Sequence, residues 1–529
     1  MFASLLGLGS RAEGLDAAAP RVWGLATASI VRGAAVVLIQ AAVFVPVALV
    51  RALDPDEGWY AYGAERVFHG QLPYRDFFFP QTPSLLYLYG AWFEVFGASW
   101  FSGRALSVLL TIGTGALVYR YCVVRFGPPV ALAAVTAYSF SVFVIDWYLL
   151  VKTYALSAFL LFAALLLVDR PDRPAGRRAW FTAGLLLGLT VEGRLLLVLP
   201  AVGFLVPLLR ARESRAWKLR SLGWGSAGAA VAALPVVFFL ARAPRPFLWD
   251  TLRYHAYRSP NGFIGNFHQK LQVADSLLSM PTGEGALNPQ FLVLVIAAAA
   301  SAAVLVALRR PLPTALVVAA LIGVASFLPT PSYTQYFSVT VPFLIVSAAE
   351  GLTAVADRAG RSDPQVWRGL HFAAAISVLV YVGLANVSLN GYAHWVRPSE
   401  IHRAERVTAW IDARTHPGEE VLTSWPGYLL GSHAVAVPGF ENQYGPVTER
   451  AIGPGGATRY KLGSIEDVRR AIRTHRTRIV VWKNWVPKQR NPSWRRLLRH
   501  SAYRRDRRVH GVSAYVLGPR TSSRSTSSR

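Results

Sequence analysis

The 529-residue chain is 53% hydrophobic and only 16% charged, and it carries 16 Trp, 21 Tyr and 27 Phe. A soluble protein shows about 25% charge; here long neutral stretches separate clusters of charge, which excludes an ordinary water-soluble fold. The net charge of +26 lies in short loops and in the part after Arg469, which sets nucleic acid aside as a partner, and the single Cys122 excludes an intrachain disulfide or a cysteine metal cluster.

Residues 1–32 do not read as a cleavable signal peptide, since arginines interrupt them and no small-residue cleavage site follows the first apolar run. A neutral stretch of roughly 18 residues can cross a bilayer as a helix. Gly33–Val50, Phe126–Ile145, Ser221–Ala241, Gly285–Leu308 and Phe372–Ala393 qualify, and Pro311–Ala349 has room for two spans, broken at "LPTPSY". Shorter candidates lie at Ala105–Tyr119, Thr153–Val168, Ala179–Val191 and Leu195–Leu209. The expected fold is a polytopic α-helical membrane protein with about 11 transmembrane helices.

With the N-terminus inside, the inside loops are Arg120–Arg125, Asp169–Arg178, Arg210–Arg220, Arg309–Arg310 and Asp357–Arg368, all rich in Arg or Lys. The short outside connections carry little positive charge, as the positive-inside rule requires. Three substantial pieces then face outwards: the loop 51–104, the loop 241–289, and residues 391–520. That last piece alternates strand-like runs ("EEVLTSW", "RIVVW", "VHGVSAYVLG") with amphipathic helices ("SIEDVRRAIRTH", "WRRLLRHSAY"), which predicts a small α/β domain. Residues 521–529, "TSSRSTSSR", read as a disordered tail.

The loop after the first span opens "LDPDEGWYAYGAERVFHG". Asp54 is a good N-cap, Pro55 suits the first helical position, and Glu57 completes a capping box. Asp56 has no such local work. Trp59, Tyr60, Tyr62 and Phe68 predict an amphipathic helix lying in the membrane interface, where a carboxylate is partly desolvated and more basic. That setting suits a general base for a hydroxyl or amine.

Further on, Asp146 in "VIDWYLLVK" ends the third span, Lys152 begins the fourth at the outer side, and Arg194 in "TVEGRLLLVLP" sits at the outer boundary. Ionisable groups at such depth need a cavity or a partner, so Lys152 and Arg194 are candidates for holding phosphate, with a plain Glu192–Arg194 pair as the alternative. In "DTLRYHAYRSPNGFIGNFHQK", His255, Arg258 and His268 mix with aromatics, suiting either a lid over a sugar-phosphate or an interfacial aromatic belt. Gln335 and Tyr336 follow the "PTPSY" break, where irregular backbone at membrane depth lines a cavity. No HExxH pattern and no Walker-type loop occurs, so neither zinc nor ATP is implied; a divalent cation at Asp56 stays open.

The Asp56-Glu57 pair opening the first outside loop resembles the GT-C membrane glycosyltransferases, in the branch of protein O-mannosyltransferases and lipid A aminoarabinose transferases. "LPYRDFFFPQTPSLLYLYGAWFEVFG", Arg104 in "SGRALS" and "PSYTQYFSVTVPFL" are similar to the same branch. The resemblance implies a GT-C-like transmembrane domain over 1–390 and a polyprenyl-phosphate sugar as donor. It implies inverting transfer to a lipid, glycan or protein acceptor outside the bilayer. Asp56, beside Glu57, would be the catalytic base, Asp146 a second acid, and Arg104 a brace for the first loop. Lys152, Arg194, Arg258 and His255 would hold donor phosphate, and Tyr60, Gln335 and Tyr336 would contact substrate. The basic outer domain suits an anionic acceptor or is a solvated face. Rival readings are a transporter, for which no matched halves are visible, and an inactive relative that binds lipid-linked sugar.

Overall fold

Each of the ten apolar stretches contains helix, because at that hydropathy the backbone must satisfy its own hydrogen bonds. The structure is a computed structural model that describes residues 21–22, 25–171, 173–258, 262–278, 288–359, 364–392, 397, 399–483, 492–507, 509 and 511–518. The readings of residues 1–20 and of the 521–529 tail lie outside the described residues. Among those described, four helices are long and apolar enough to cross a bilayer: Val31–Val50, Trp100–Phe126, Pro289–Ala307 and Thr334–Arg358. Arg215–Ala232 and Leu234–Arg242, bent by 42°, make a fifth if taken as one span. The other stretches form shorter helices, such as Thr153–Val168 and Thr314–Phe327, interrupted where Pro, Gly or a charged residue stands.

The part beyond residue 399 is an α/β unit built on five strands: β1 (Glu420–Thr423), β2 (Val435–Ala436), β3 (Ile479–Trp482), β4 (Tyr503–Asp506) and β5 (Ser513–Leu517). They run in the order β2-β1-β3-β5-β4, parallel from β2 to β3 and antiparallel from there on. Helix Ile465–Arg473 starts at Ser464 with a capping box closed by Asp467. The "WRRLLRHSAY" stretch divides, its helix stopping at Arg499 and Tyr503 opening β4. Helices Ser399–Asp412 and Gly445–Arg459 were not foreseen from the sequence.

One apolar core lies among the spans, around Phe44, Val118, Tyr138, Leu161 and Phe343. A second joins Trp59, Leu86 and Trp100 to Trp425 and Val481, so helix Pro55–Phe68 and the C-terminal unit share a core. This corrects the expectation of an interfacial helix. Trp59, Tyr60 and Tyr62 are buried in protein, and only Phe68 stays exposed at 42%. The cause is direct cover by the C-terminal unit. The Trp425 indole fills the notch left by Gly58, where an added Cβ would lie 2.3 Å from the ring, and it stacks on Trp100 at 5.4 Å. Trp425 Nε1 donates to the Pro55 carbonyl at 2.8 Å, and the Ala436 amide donates to the Tyr62 hydroxyl, also at 2.8 Å.

Candidate active site

Helix Pro55–Phe68 begins as its sequence requires. Asp54 accepts from the Asp56 amide at 2.8 Å, and Glu57 reaches back to the Asp54 amide at 3.0 Å. The capping carboxylate of Glu57 does more than cap. It is fully buried, takes Arg104 Nη2 at 2.7 Å and Nε at 3.1 Å, and accepts the Val151 amide at 3.1 Å. Arg104 also donates to the carbonyls of Ala48, Arg51 and Ala52. The Arg104–Glu57 pair therefore ties three segments together: the exit of the first span, the Asp56 turn, and the turn that carries Lys152. Arg104 is a brace, and Glu57 is its partner rather than a wall of the cavity.

Next to this brace, lined by its chain neighbours Asp56 and Lys152, lies a cavity of about 580 Å³. Asp56, Tyr60, Lys152, Arg194, His255, Arg258, Gln335 and Tyr336 all line it, so eight of the ten residues singled out in the sequence converge on one space. Glu57 and Asp146 do not. Asp146 turns to Arg51 Nε at 3.1 Å and is buried at the end of the Val142–Trp147 helix. His268 lies exposed on the Gly262–Leu278 helix, away from the cavity.

Lys152 Nζ stands between two carboxylates, 2.8 Å from Asp54 Oδ1 and 3.3 Å from Asp56 Oδ2. Burial disfavours its charge, but Asp54 and Asp56 outweigh that and hold the ammonium well above its usual range. Burial likewise pushes the Asp54 carboxyl up, against the pull of Lys152. Asp56 goes the other way. Burial would raise it, yet Lys152, the hydroxyl of Tyr444, the indole of Trp59 and Arg258 together hold it below the usual carboxylate range. Tyr444 donates to Asp56 Oδ1 at 2.6 Å, and Trp59 Nε1 donates to the same oxygen at 3.4 Å. Lower basicity is thus a correction to the sequence reading, and its reason is a set of donors that burial alone does not reveal. The Asp56 side chain keeps 37% exposure, directed into the cavity.

Two further cations line the space. Arg194 lies 4.0 Å from the Tyr336 ring and 5.2 Å from the Tyr154 ring, and no ion pair joins it to Glu192 among the described residues. Arg258 is likewise without a carboxylate partner among the described residues, and sits beside Tyr336, Tyr254, Tyr444 and Tyr333. His255 is not a third. Burial, with Arg258 and Arg194 nearby, lowers its imidazole to about 4, and Nε2–H donates to the Pro80 carbonyl at 3.1 Å. A neutral ring with that nitrogen spent leaves Nδ1, which only accepts. As for a metal, the Asp54–Asp56 pair is the natural ligand set here, and Lys152 Nζ already fills the place between the two carboxylates. Sequence reasoning missed Tyr444, 388 residues from Asp56 along the chain, together with Tyr254 and the second role of Asp54.

Comparison with known proteins follows the same lines. Residues 80–239 match the family model of dolichyl-phosphate-mannose-protein mannosyltransferases. No curated protein matches the chain by sequence. In three dimensions it is similar to ArnT from Cupriavidus metallidurans bound to undecaprenyl phosphate, at 16% identity and a TM-score of 0.61, covering 93% of this chain and 99% of that one. The apo state of the same protein gives 15% identity and a TM-score of 0.63, covering 92% and 98%. Over nearly its whole length, then, this chain has a fold like that of ArnT, and its 80–239 segment matches the model of the dolichyl-phosphate-mannose-protein mannosyltransferases.

Proposed function

We propose that the protein is an inverting glycosyltransferase that moves a sugar from a polyprenyl-phosphate donor to an acceptor on the extracytoplasmic face of a bacterial membrane, with Asp56 as general base. The observation that carries this reading is one cavity in which an ionised carboxylate faces two arginines that have no carboxylate partner among the described residues. The acceptor oxygen bonds to the anomeric carbon, and the bond from that carbon to the phosphate oxygen breaks. The acceptor's proton passes to Asp56, and the electron pair leaves with the polyprenyl phosphate. Arg194 and Arg258 meet the charge that develops on the phosphate. Asp56 Oδ1 is occupied by Tyr444 and Trp59, so Oδ2, with a lone pair beyond Lys152, receives the proton. Because Asp56 is ionised at neutral pH but weakly basic, proton transfer falls late, once bonding to carbon has made the acceptor hydroxyl acidic.

About eleven spans, an inward N-terminus and an outward α/β domain belong to the same proposal, supported by arginine-rich inside loops such as "RARESRAWKLR". The test is Asp56→Asn in purified protein given labelled polyprenyl-phosphate sugars and a membrane extract. Loss of transfer at unchanged abundance and donor binding is expected. Wild-type transfer by the variant would remove Asp56 as the base.

A further inference from the structure

The charges facing the cavity restrict the donor beyond its phosphate. Three cations line it, Lys152, Arg194 and Arg258, against two carboxylates, Asp54 and Asp56, while His255 is neutral. One positive charge is left over, which a phosphodiester monoanion cancels. Both carboxylates are already bound by Lys152 Nζ, at 2.8 and 3.3 Å, and Asp56 Oδ1 takes two further donors. Among the described residues no third carboxylate lines the space: Asp146 is turned to Arg51, and the Glu192 side chain faces a neighbouring apolar groove.

From this we infer that the donor's sugar is uncharged, a neutral hydroxyl-bearing sugar rather than an amino sugar. The inference rests on the glycosyl-donor reading above. An ammonium on the sugar would find each carboxylate of the cavity already shared with Lys152. It would also stand within one small cavity of two guanidiniums, a like-charge arrangement that weakens binding. Hydroxyls meet no such obstacle. Tyr60, Tyr254 and Tyr333 offer groups that both donate and accept, and Trp59 adds an aromatic wall for the C–H face of a sugar ring.

A matched pair of ligands tests this without any variant. Full-length protein in nanodiscs is loaded with radiolabelled undecaprenyl phosphate. The label is displaced by polyprenyl-phosphate arabinose or by its 4-amino-4-deoxy counterpart, which differ in one hydroxyl against one ammonium. At pH 7 the amino compound should displace at least about tenfold more weakly. The gap should close as pH rises and the amine loses its proton. Equal or tighter binding of the amino compound at pH 7, or a gap indifferent to pH, overturns the inference and leaves the glycosyl-donor reading intact. Failure of undecaprenyl phosphate itself to bind overturns both.

Discussion

Tyr444→Phe isolates the hydrogen bond that sets the acidity of Asp56. The substitution keeps the ring against Trp59 (centroids 5.8 Å apart) and Tyr254 (6.2 Å), and removes only the hydroxyl that donates to Oδ1 at 2.6 Å. The bond is charge-assisted, and its class is worth about 1.5–3 kcal/mol. At about 1.4 kcal/mol per pH unit, its loss raises the Asp56 carboxyl by about one to two units, towards the lower figure where water replaces the hydroxyl. The sign follows from the role of a base. In the wild type Asp56 lies below the usual carboxylate range, so it is ionised across the physiological window and lost only at strongly acid pH. In the variant the acid limb of kcat/KM climbs by the same one to two units, while transfer at neutral pH changes little because the base is still ionised there. The assay is labelled-sugar transfer across a pH series with wild type and variant at equal folded concentration. An unmoved acid limb would refute the account of Asp56 acidity. A uniform loss at every pH would assign Tyr444 to packing alone.

Three other outcomes test the frame around the site. Gly58→Ala should drive Trp425 out of its notch, because the new methyl would sit 2.3 Å from the indole; faster proteolysis of the C-terminal unit together with loss of transfer is the expected reading. Glu57→Gln breaks a fully buried pair with Arg104 and should cost about 3–5 kcal/mol, seen as a marked fall in the unfolding temperature in detergent. Asp146→Asn should leave transfer per folded molecule near wild type, since that carboxylate does not line the cavity; a loss of about 100-fold would show it to be an acid–base group after all.

How far the sequence could lead depended on whether a residue's role is local or expensive. The capping box of Asp54 and Glu57 is local, written within four residues, and folds as written. Lys152, Arg194, Arg258 and Gln335 were legible because charged and polar groups flanking apolar helices call for a cavity, and one cavity holds all four. Arg104 and Asp146 carried the same signal with a different outcome, as each satisfies its charge by pairing with a partner outside the cavity. Span lengths were less legible. Hydropathy marks where helix is apolar, but not where "VEGRLLLVLP" breaks into short helical pieces around Arg194 and Pro200.

What no pattern in the sequence announced is the C-terminal unit's hold on the Asp56 turn. Trp425 closes the strand-like run "EEVLTSW" and Tyr444 lies in the turn-rich "PGFENQYG", and neither stretch says which distant segment its aromatic ring meets. Yet Trp425 and Gln443 both donate to the Pro55 carbonyl, and Tyr444 donates to Asp56 itself. Reasoning from burial alone makes Asp56 a stronger base; adding donors brought from the far end of the chain makes it an ionised, weaker one. The sign of the shift is therefore a property of tertiary docking.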